Sequence, residues 1–136
     1  GFEVMIFAPL READDPMETL IELIQRKAKS ATLESVTLGC ALNNLIQEMS
    51  PLDAEFKRRL NGILKTWQDT VTDALKRAQK QGRVRKDVDC RAAALFVVSA
   101  FEGCIGIAKN LQSVKDFGQC MAQLEGYVRG LCAKKR

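Results

Sequence analysis

Apolar positions recur along most of the chain at intervals of three and four residues, the spacing that puts side chains on one face of a helix. The strict alternation that would indicate strands is absent, and prolines and glycines fall at plausible helix ends. The predicted fold class is therefore all-α. The predicted helices run from Pro16 to about Ala28, Leu38 to Met49, Ser50 to about Gln81, Cys90 to Leu111 and Ser113 to about Leu131.

Capping signals support these boundaries. Side chains that favour N-caps precede four of the helices, at Asp15, Ser50, Asp89 and Ser113. Pro16 suits a first helical position, and Glu18 completes a capping-box pattern. Gly82 stands where a helix commonly ends in a left-handed residue. Residues 30–37 lack a period, which predicts a loop or a frayed helical end.

The stretch from Cys90 to Leu111 is apolar or small on nearly every side, as expected of a helix that other protein surrounds. A membrane span needs roughly 20 largely uncharged residues. Here Arg91, Glu102 and Lys109 interrupt the apolar run, so no membrane partner is expected. We interpret the stretch as a central helix with more apolar surface than one small domain can cover, which predicts a second copy of the chain as partner.

The predicted homodimer interface uses the last two helices. Glycine costs up to about 1 kcal/mol inside a helix, so Gly103 and Gly106 indicate a packing reason such as close backbone approach. The candidate interface residues are Ser99, Gly103, Gly106, Phe117, Met121, Leu124, Val128 and Leu131. The alternative, in which both helices pack wholly within one chain, stays open at this point.

Composition narrows the chemistry. The 136 residues carry a net charge of +4, contain no histidine and show no Gly-rich phosphate loop, so no catalytic constellation stands out and an enzyme is not expected. Five scattered cysteines lack a C-x-x-C pair, which predicts reduced, buried thiols and no metal site or cofactor. No signal peptide is recognisable, which favours the cytoplasm.

A small-molecule pocket is the one candidate site. Such pockets are mostly apolar, with a few polar groups that orient the ligand. Polar candidates lie on one face of a short helix: Cys40, Asn43, Asn44 and Gln47. Bulky candidates for the apolar wall are Ile24, Ile63, Trp67, Phe96 and Phe101. No buried arginine or acid is obvious, so the expected effector is a small apolar or amphipathic compound. These residues could equally be core side chains or helix braces.

From Asp15 onward the order of motifs resembles the C-terminal domain of the TetR (tetracycline-repressor-like) transcriptional regulators. The motifs are Gly39-Cys40, Asn44-Leu45 with Glu48, Ser50-Pro51-Leu52, the turn from Gly82 to Asp89, and Glu102-Gly103. The resemblance implies a helical bundle that dimerises through its last two helices and holds a ligand between the middle ones.

The same resemblance divides the chain into residues 1–13, a remnant of a linking helix, and residues 14–136, a ligand-sensing and dimerisation domain. In such regulators, often repressors, an N-terminal helix-turn-helix domain binds operator DNA. That domain is absent from this sequence, so operator binding is expected only of a full-length protein. A free-standing helical carrier of small molecules, or a protein-interaction module, is the competing hypothesis.

Overall fold

The computed structural model describes residues 2–134. Gly1, Lys135 and Arg136, which belong to the outer ends of the predicted segments 1–13 and 14–136, lie outside the described residues. The described part is helical, with one isolated β-bridge between Val84 and Cys132, which confirms the all-α fold class. In chain order it contains a π-helical turn (Glu3–Phe7), α1 (Ala8–Glu12), α2 (Pro16–Lys29), α3 (Leu33–Leu38), α4 (Ala41–Met49), α5 (Ala54–Lys80), α6 (Cys90–Leu111) and α7 (Val114–Gly130).

Three of the four predicted N-caps form as expected. The Asp15 side chain accepts a hydrogen bond from the Glu18 backbone N–H at 3.1 Å, and Asp89 and Ser113 cap α6 and α7 in the same way. The cap predicted at Ser50 is wrong by three residues. There Asp53 is the N-cap, because its carboxylate accepts from the Phe56 N–H at 3.0 Å, and residues 50–52 form a turn.

The boundary between α3 and α4 also differs from the prediction. A capping box in which Thr32 and Ser35 bond reciprocally begins α3, so the aperiodic stretch is a short helix. Gly39 then breaks the predicted helix from Leu38 to Met49. Its φ of 71° is left-handed, and a Cβ there would lie 2.8 Å from Lys109 Cδ.

The bundle places α6 between α5 and α7, and α2 against α7 and α5. One side of α6 is buried in this core, where Ala94 is fully covered. The opposite side exposes about half or more of Leu95, Phe96 and Ile107. The open side of α6 is therefore an apolar surface that the described chain leaves uncovered.

Length and composition alone would allow α6 to cross a membrane, although core helices of soluble proteins pass the same test.

The apolar stripe of α7 lies in the core, which corrects its assignment to the dimer interface. Phe117, Met121, Leu124, Val128 and Leu131 are each 6% exposed or less within a single chain. Because α7 packs on α2 and α6 of the same chain, these side chains have no surface left for a second copy. Ser99 and Gly103 of α6 are exposed and Gly106 is half-buried, so their assignment stays a prediction.

A disulfide joins Cys104 of α6 to Cys120 of α7, with the two Cα atoms 5.6 Å apart. The prediction that all cysteines are reduced is therefore wrong for this pair, while Cys40, Cys90 and Cys132 are free. The two helices are antiparallel neighbours, so residues 16 positions apart come to face each other across the pair. A search for closely spaced cysteines cannot detect such a pairing.

Candidate functional site

A cavity of about 410 Å³, the central cavity, lies among the N-terminal segment (residues 2–13), α2, α5 and α6. Its N-terminal and α2 wall is formed by Phe2, Met5, Ile6, Leu10, Leu20, Leu23, Ile24, Arg26, Lys27 and Ser30. The remaining wall is formed by Gly39, Cys40, Ala41, Trp67, Val71, Val97, Phe101, Ile105 and Leu124. The lining is predominantly apolar and the volume falls in the range of small-molecule sites.

Trp67 organises one wall of the central cavity. Its ring lies 5.2 Å from that of Phe2 and 5.4 Å from that of Phe101, the latter edge to face. Aromatic pairs at these separations add about 0.5–1.5 kcal/mol beyond their area burial. Trp67 therefore connects the N-terminal segment to α6 directly at the cavity surface.

The structure separates the predicted ligand residues into two groups. Ile24, Cys40, Trp67 and Phe101 line the central cavity. Asn43, Asn44 and Gln47 line a second depression of about 680 Å³, the polar groove, together with Thr37, Glu102, Gly103, Gly106, Ile107, Lys109, Asn110 and Gln112. Glu102 and Cys40 mark the border between the two. Whether any of these residues contacts a ligand stays a prediction.

Ile63 and Phe96 line neither depression, which corrects their assignment to the pocket wall. Ile63 is 40% exposed on α5, one helical turn before Trp67, and does not line the cavity. Phe96 is 51% exposed on α6, and its ring packs 4.6 Å from that of Tyr127 on α7. Both side chains belong to outer faces of the bundle.

Asn44 braces the corner between α3 and α4. Its Nδ2 donates to the Leu38 carbonyl at 3.0 Å, and its Oδ1 accepts from Lys109 Nζ at 3.1 Å. Asn44 therefore acts as a helix brace, which was one of the alternatives considered from the sequence. The bond to Lys109 links α4 to the end of α6 and holds together two residues that line the polar groove.

Glu102 is a buried polar residue of the site that the sequence prediction missed. Both of its carboxylate oxygens are buried and lack a hydrogen-bond partner among the described residues. Burial raises the pKa of this carboxyl group, while the Cys40 thiol and the charge of Lys27 act in the opposite direction. Burial likewise raises the pKa of the Cys40 thiol. The sequence contains one signal that could have identified Glu102: it is the one charged residue between Arg91 and Lys109.

The corner between α1 and α2 is held by side chains from the last part of α5 and from the turn that follows it. Arg77 donates to the carbonyl oxygens of Leu10 and Ala13, the latter at 3.0 Å. Gln81 Nε2 donates to the Asp14 carbonyl at 2.8 Å, and Arg83 pairs with Asp15 at 2.6 Å. The N-terminal segment therefore has one end fixed to α5 and the other in the cavity wall.

Comparison with known proteins agrees with this architecture. The family profile of the tetracyclin repressor-like C-terminal domain matches residues 16–124, well over half of the chain. The chain belongs to this family. The order of motifs that suggested the TetR resemblance is thereby confirmed, and the bundle described above is a TetR C-terminal domain.

Individual relatives are also TetR regulators or transcriptional regulators. The transcriptional regulator AcuR of Cereibacter sphaeroides is 38% identical over 71 residues, which make up 52% of this chain and 32% of that protein. A TetR-family regulator from Cytophaga hutchinsonii superposes with a TM-score of 0.83 at 19% identity, over 98% of this chain and 66% of that one. The regulatory protein TetR from Rhodobacter sphaeroides gives 0.77 at 25% identity, over 93% and 67%. The chain thus spans about a third of AcuR and two thirds of the solved regulators.

Proposed function

We propose that this chain is the ligand-sensing and dimerisation domain of a one-component transcriptional regulator, a repressor whose DNA binding is controlled by a small molecule. One observation carries the proposal: the wall of the central cavity includes Phe2, Met5 and Ile6 of the N-terminal segment, the part that would lead to a DNA-binding domain. The family and its transcriptional relatives support this assignment rather than an enzymatic one. A cytoplasmic location follows from the proposed role.

The N-terminal segment is suited to transmit the effect of ligand binding from the cavity to a DNA-binding domain. Residues Glu3–Phe7 form a π-helical turn, a local irregularity that is frequent at functional sites. A ligand against Phe2 and Trp67 would favour one position of this turn, while Arg77 holds the following corner in place. A shift of the segment would change the spacing of two DNA-reading heads, to which operator half-sites are sensitive. Ligand and operator would then alter each other's affinity by the same factor.

Dimerisation is proposed to use the open side of α6. Leu95, Phe96 and Ile107 supply exposed apolar surface, and Tyr127 of α7 extends it by packing on Phe96. Ser99 and Gly103 lie between these groups and leave room for a second backbone. This surface replaces the buried α7 stripe in the interface assigned from the sequence.

The pocket is tested by titrating the 136-residue chain with octanol and recording the fluorescence of Trp67, the chain's one tryptophan. Octanol is expected to change the emission in a saturable manner, because Trp67 lines the cavity. Ala41→Phe, at a position in the cavity lining, should weaken binding several-fold. The matched control Ala54→Phe, at the exposed start of α5, should bind as the unmodified chain does. Non-saturable emission, or equal behaviour of both variants, contradicts the pocket.

A further inference from the structure

The border between the central cavity and the polar groove holds a buried acid without a partner. Both Glu102 oxygens lack solvent contact and lack a hydrogen bond among the described residues. Buried carboxylates are normally paired or hydrogen-bonded, and a lone unsatisfied one calls for a missing donor. Glu102 itself lines the polar groove, and the preceding residue, Phe101, lines the central cavity, so Glu102 lies beside the wall between the two spaces.

Two groups of the cavity lining act on this carboxylate from other elements. Cys40, just before α4, and Lys27 of α2 both line the central cavity and both favour the ionised form of Glu102. The Cys40 thiol is close enough to lower the pKa of the Glu102 carboxyl group, but a thiol is a weak donor, and neither carboxylate oxygen receives a hydrogen bond of ordinary geometry among the described residues. Because Cys40 lies at the cavity surface next to Glu102, a ligand head group that displaces the Cys40 side chain would meet a carboxylate with open acceptor sites.

We propose that Glu102 binds the nitrogen of the effector, and that the effector is an amphipathic amine whose apolar body fills the central cavity. This inference rests on the proposed ligand-sensing function and names the chemical class of the ligand. A protonated amine offers two or three N–H donors, matching the two open oxygens, and its positive charge compensates the buried negative one. An alcohol of the same length offers one donor and no charge.

The cations at the cavity lining do not reverse this preference. Arg26 and Lys27 are exposed, so their charges act largely through water and are weakened by its high dielectric constant and by salt. The Glu102 oxygens are shielded from solvent, and in such surroundings of low dielectric constant a carboxylate interacts more strongly with a charged ligand group that touches it. An anionic ligand would in addition leave the buried acid without its donor.

The test compares three probes with the same eight-carbon chain: octylamine, octanol and octanoate. Calorimetric titration of the 136-residue chain at neutral pH is expected to show octylamine binding about 10- to 100-fold tighter than octanol, the range for a charge-assisted hydrogen bond. Octanoate should bind more weakly than octylamine. Glu102→Gln should remove the advantage of octylamine over octanol while leaving octanol affinity within about twofold.

Glu48→Gln provides the matched control, because it makes the same change at an exposed glutamate of α4. This variant should retain the full preference for octylamine. Equal binding of octylamine and octanol, tighter binding of octanoate, or an unchanged preference in Glu102→Gln overturns the assignment of Glu102 while the pocket itself stands. Equal binding would be the result if a fixed water molecule satisfies the carboxylate. Failure of all three probes to bind contradicts both the pocket and this inference.

Discussion

The buried Glu102 carboxylate makes its own contribution to the pH dependence of this domain's stability. The ordinary pKa of the Glu102 group is 4.5, and burial raises it in the folded chain despite the Cys40 thiol and the Lys27 charge nearby. Between the unfolded and the folded pKa the native state binds more protons than the unfolded state. The contribution of Glu102 to the free energy of unfolding therefore falls as pH rises through that interval, and its penalty is complete above the folded pKa.

Glu102→Gln should remove this penalty, because the amide cannot ionise. We expect the variant to be more stable than the unmodified chain at neutral pH, with the difference shrinking as pH falls through the folded pKa and disappearing below the ordinary pKa of a glutamate. Urea unfolding at a series of pH values measures it, and Glu48→Gln serves as the exposed control. A variant that is less stable at neutral pH would show that the carboxylate has a stabilising partner in the folded chain.

Residue roles were the least predictable from the sequence. The spacing of Phe117, Met121 and Val128 correctly indicates a buried helix face, but periodicity cannot tell whether the covering surface comes from the same chain or a second one. The prediction that Ile63 lines the pocket is wrong for a related reason, since Ile63 lies at the edge of an apolar stripe whose centre is Trp67. Glu102 was missed because the groups that act on it, Cys40 and Lys27, are distant in sequence.

Helix boundaries were more predictable, because capping is decided by a few neighbouring residues. Asp15, Asp89 and Ser113 each needed only the backbone N–H three residues ahead. The break at Gly39 could not be placed in this way. A glycine is tolerated inside a helix, and neither the φ of 71° at Gly39 nor the approach of Lys109 from α6 to 2.8 Å from the position of a Cβ can be read from neighbouring residues. The close approach is a contact between elements that are distant in sequence.

The disulfide should contribute measurably to the α6–α7 pair. Closing a loop of about 15 residues stabilises a folded chain by about 3 kcal/mol, because it restricts the unfolded state, and the separation of Cys104 and Cys120 is 16. Urea unfolding with dithiothreitol should show a loss near this size. A Cys104→Ser, Cys120→Ser double variant should not respond to the reductant.

Thiol counting provides an independent check of the same pairing. Alkylation of the unfolded, non-reduced chain should modify the three cysteines that are free, at positions 40, 90 and 132. Five should react after reduction, which is the full cysteine content of the sequence. Five reactive thiols before reduction, in protein purified without a reductant, would contradict the cross-link.

The corner held by Arg77 should limit motion of the N-terminal segment. Hydrogen bonds from a charged donor are worth about 1.5–3 kcal/mol, and Arg77→Met removes those to Leu10 and Ala13. Backbone amides of α1 should then exchange with deuterium faster, while those of α6 change less. Arg59→Met, at an exposed position of α5, is the control. Unchanged exchange in α1 would show that packing alone fixes the corner.

At the scale of the whole molecule, the open side of α6 is the feature that one chain leaves incomplete. Leu95, Phe96 and Ile107 are each more than half exposed, although isolated soluble chains rarely present long apolar strips. Gly103 lies within this side, and a Cβ built there meets nothing within 4 Å inside the chain. A larger side chain at this position therefore reports on the second copy and not on the fold of the first.

Gly103→Leu is expected to weaken the dimer while leaving each chain folded. Replacing a helical glycine should stabilise the single chain by up to about 1 kcal/mol, whereas forcing a bulky group into a close contact costs about 1–3 kcal/mol. Sedimentation equilibrium should therefore show a dissociation constant raised roughly 5- to 100-fold. Gly62→Leu, on α5 and also in open space, should remain dimeric. If Gly103→Leu dimerises as tightly as Gly62→Leu, the two chains do not meet at Gly103, and the apolar side of α6 must be covered in some other way.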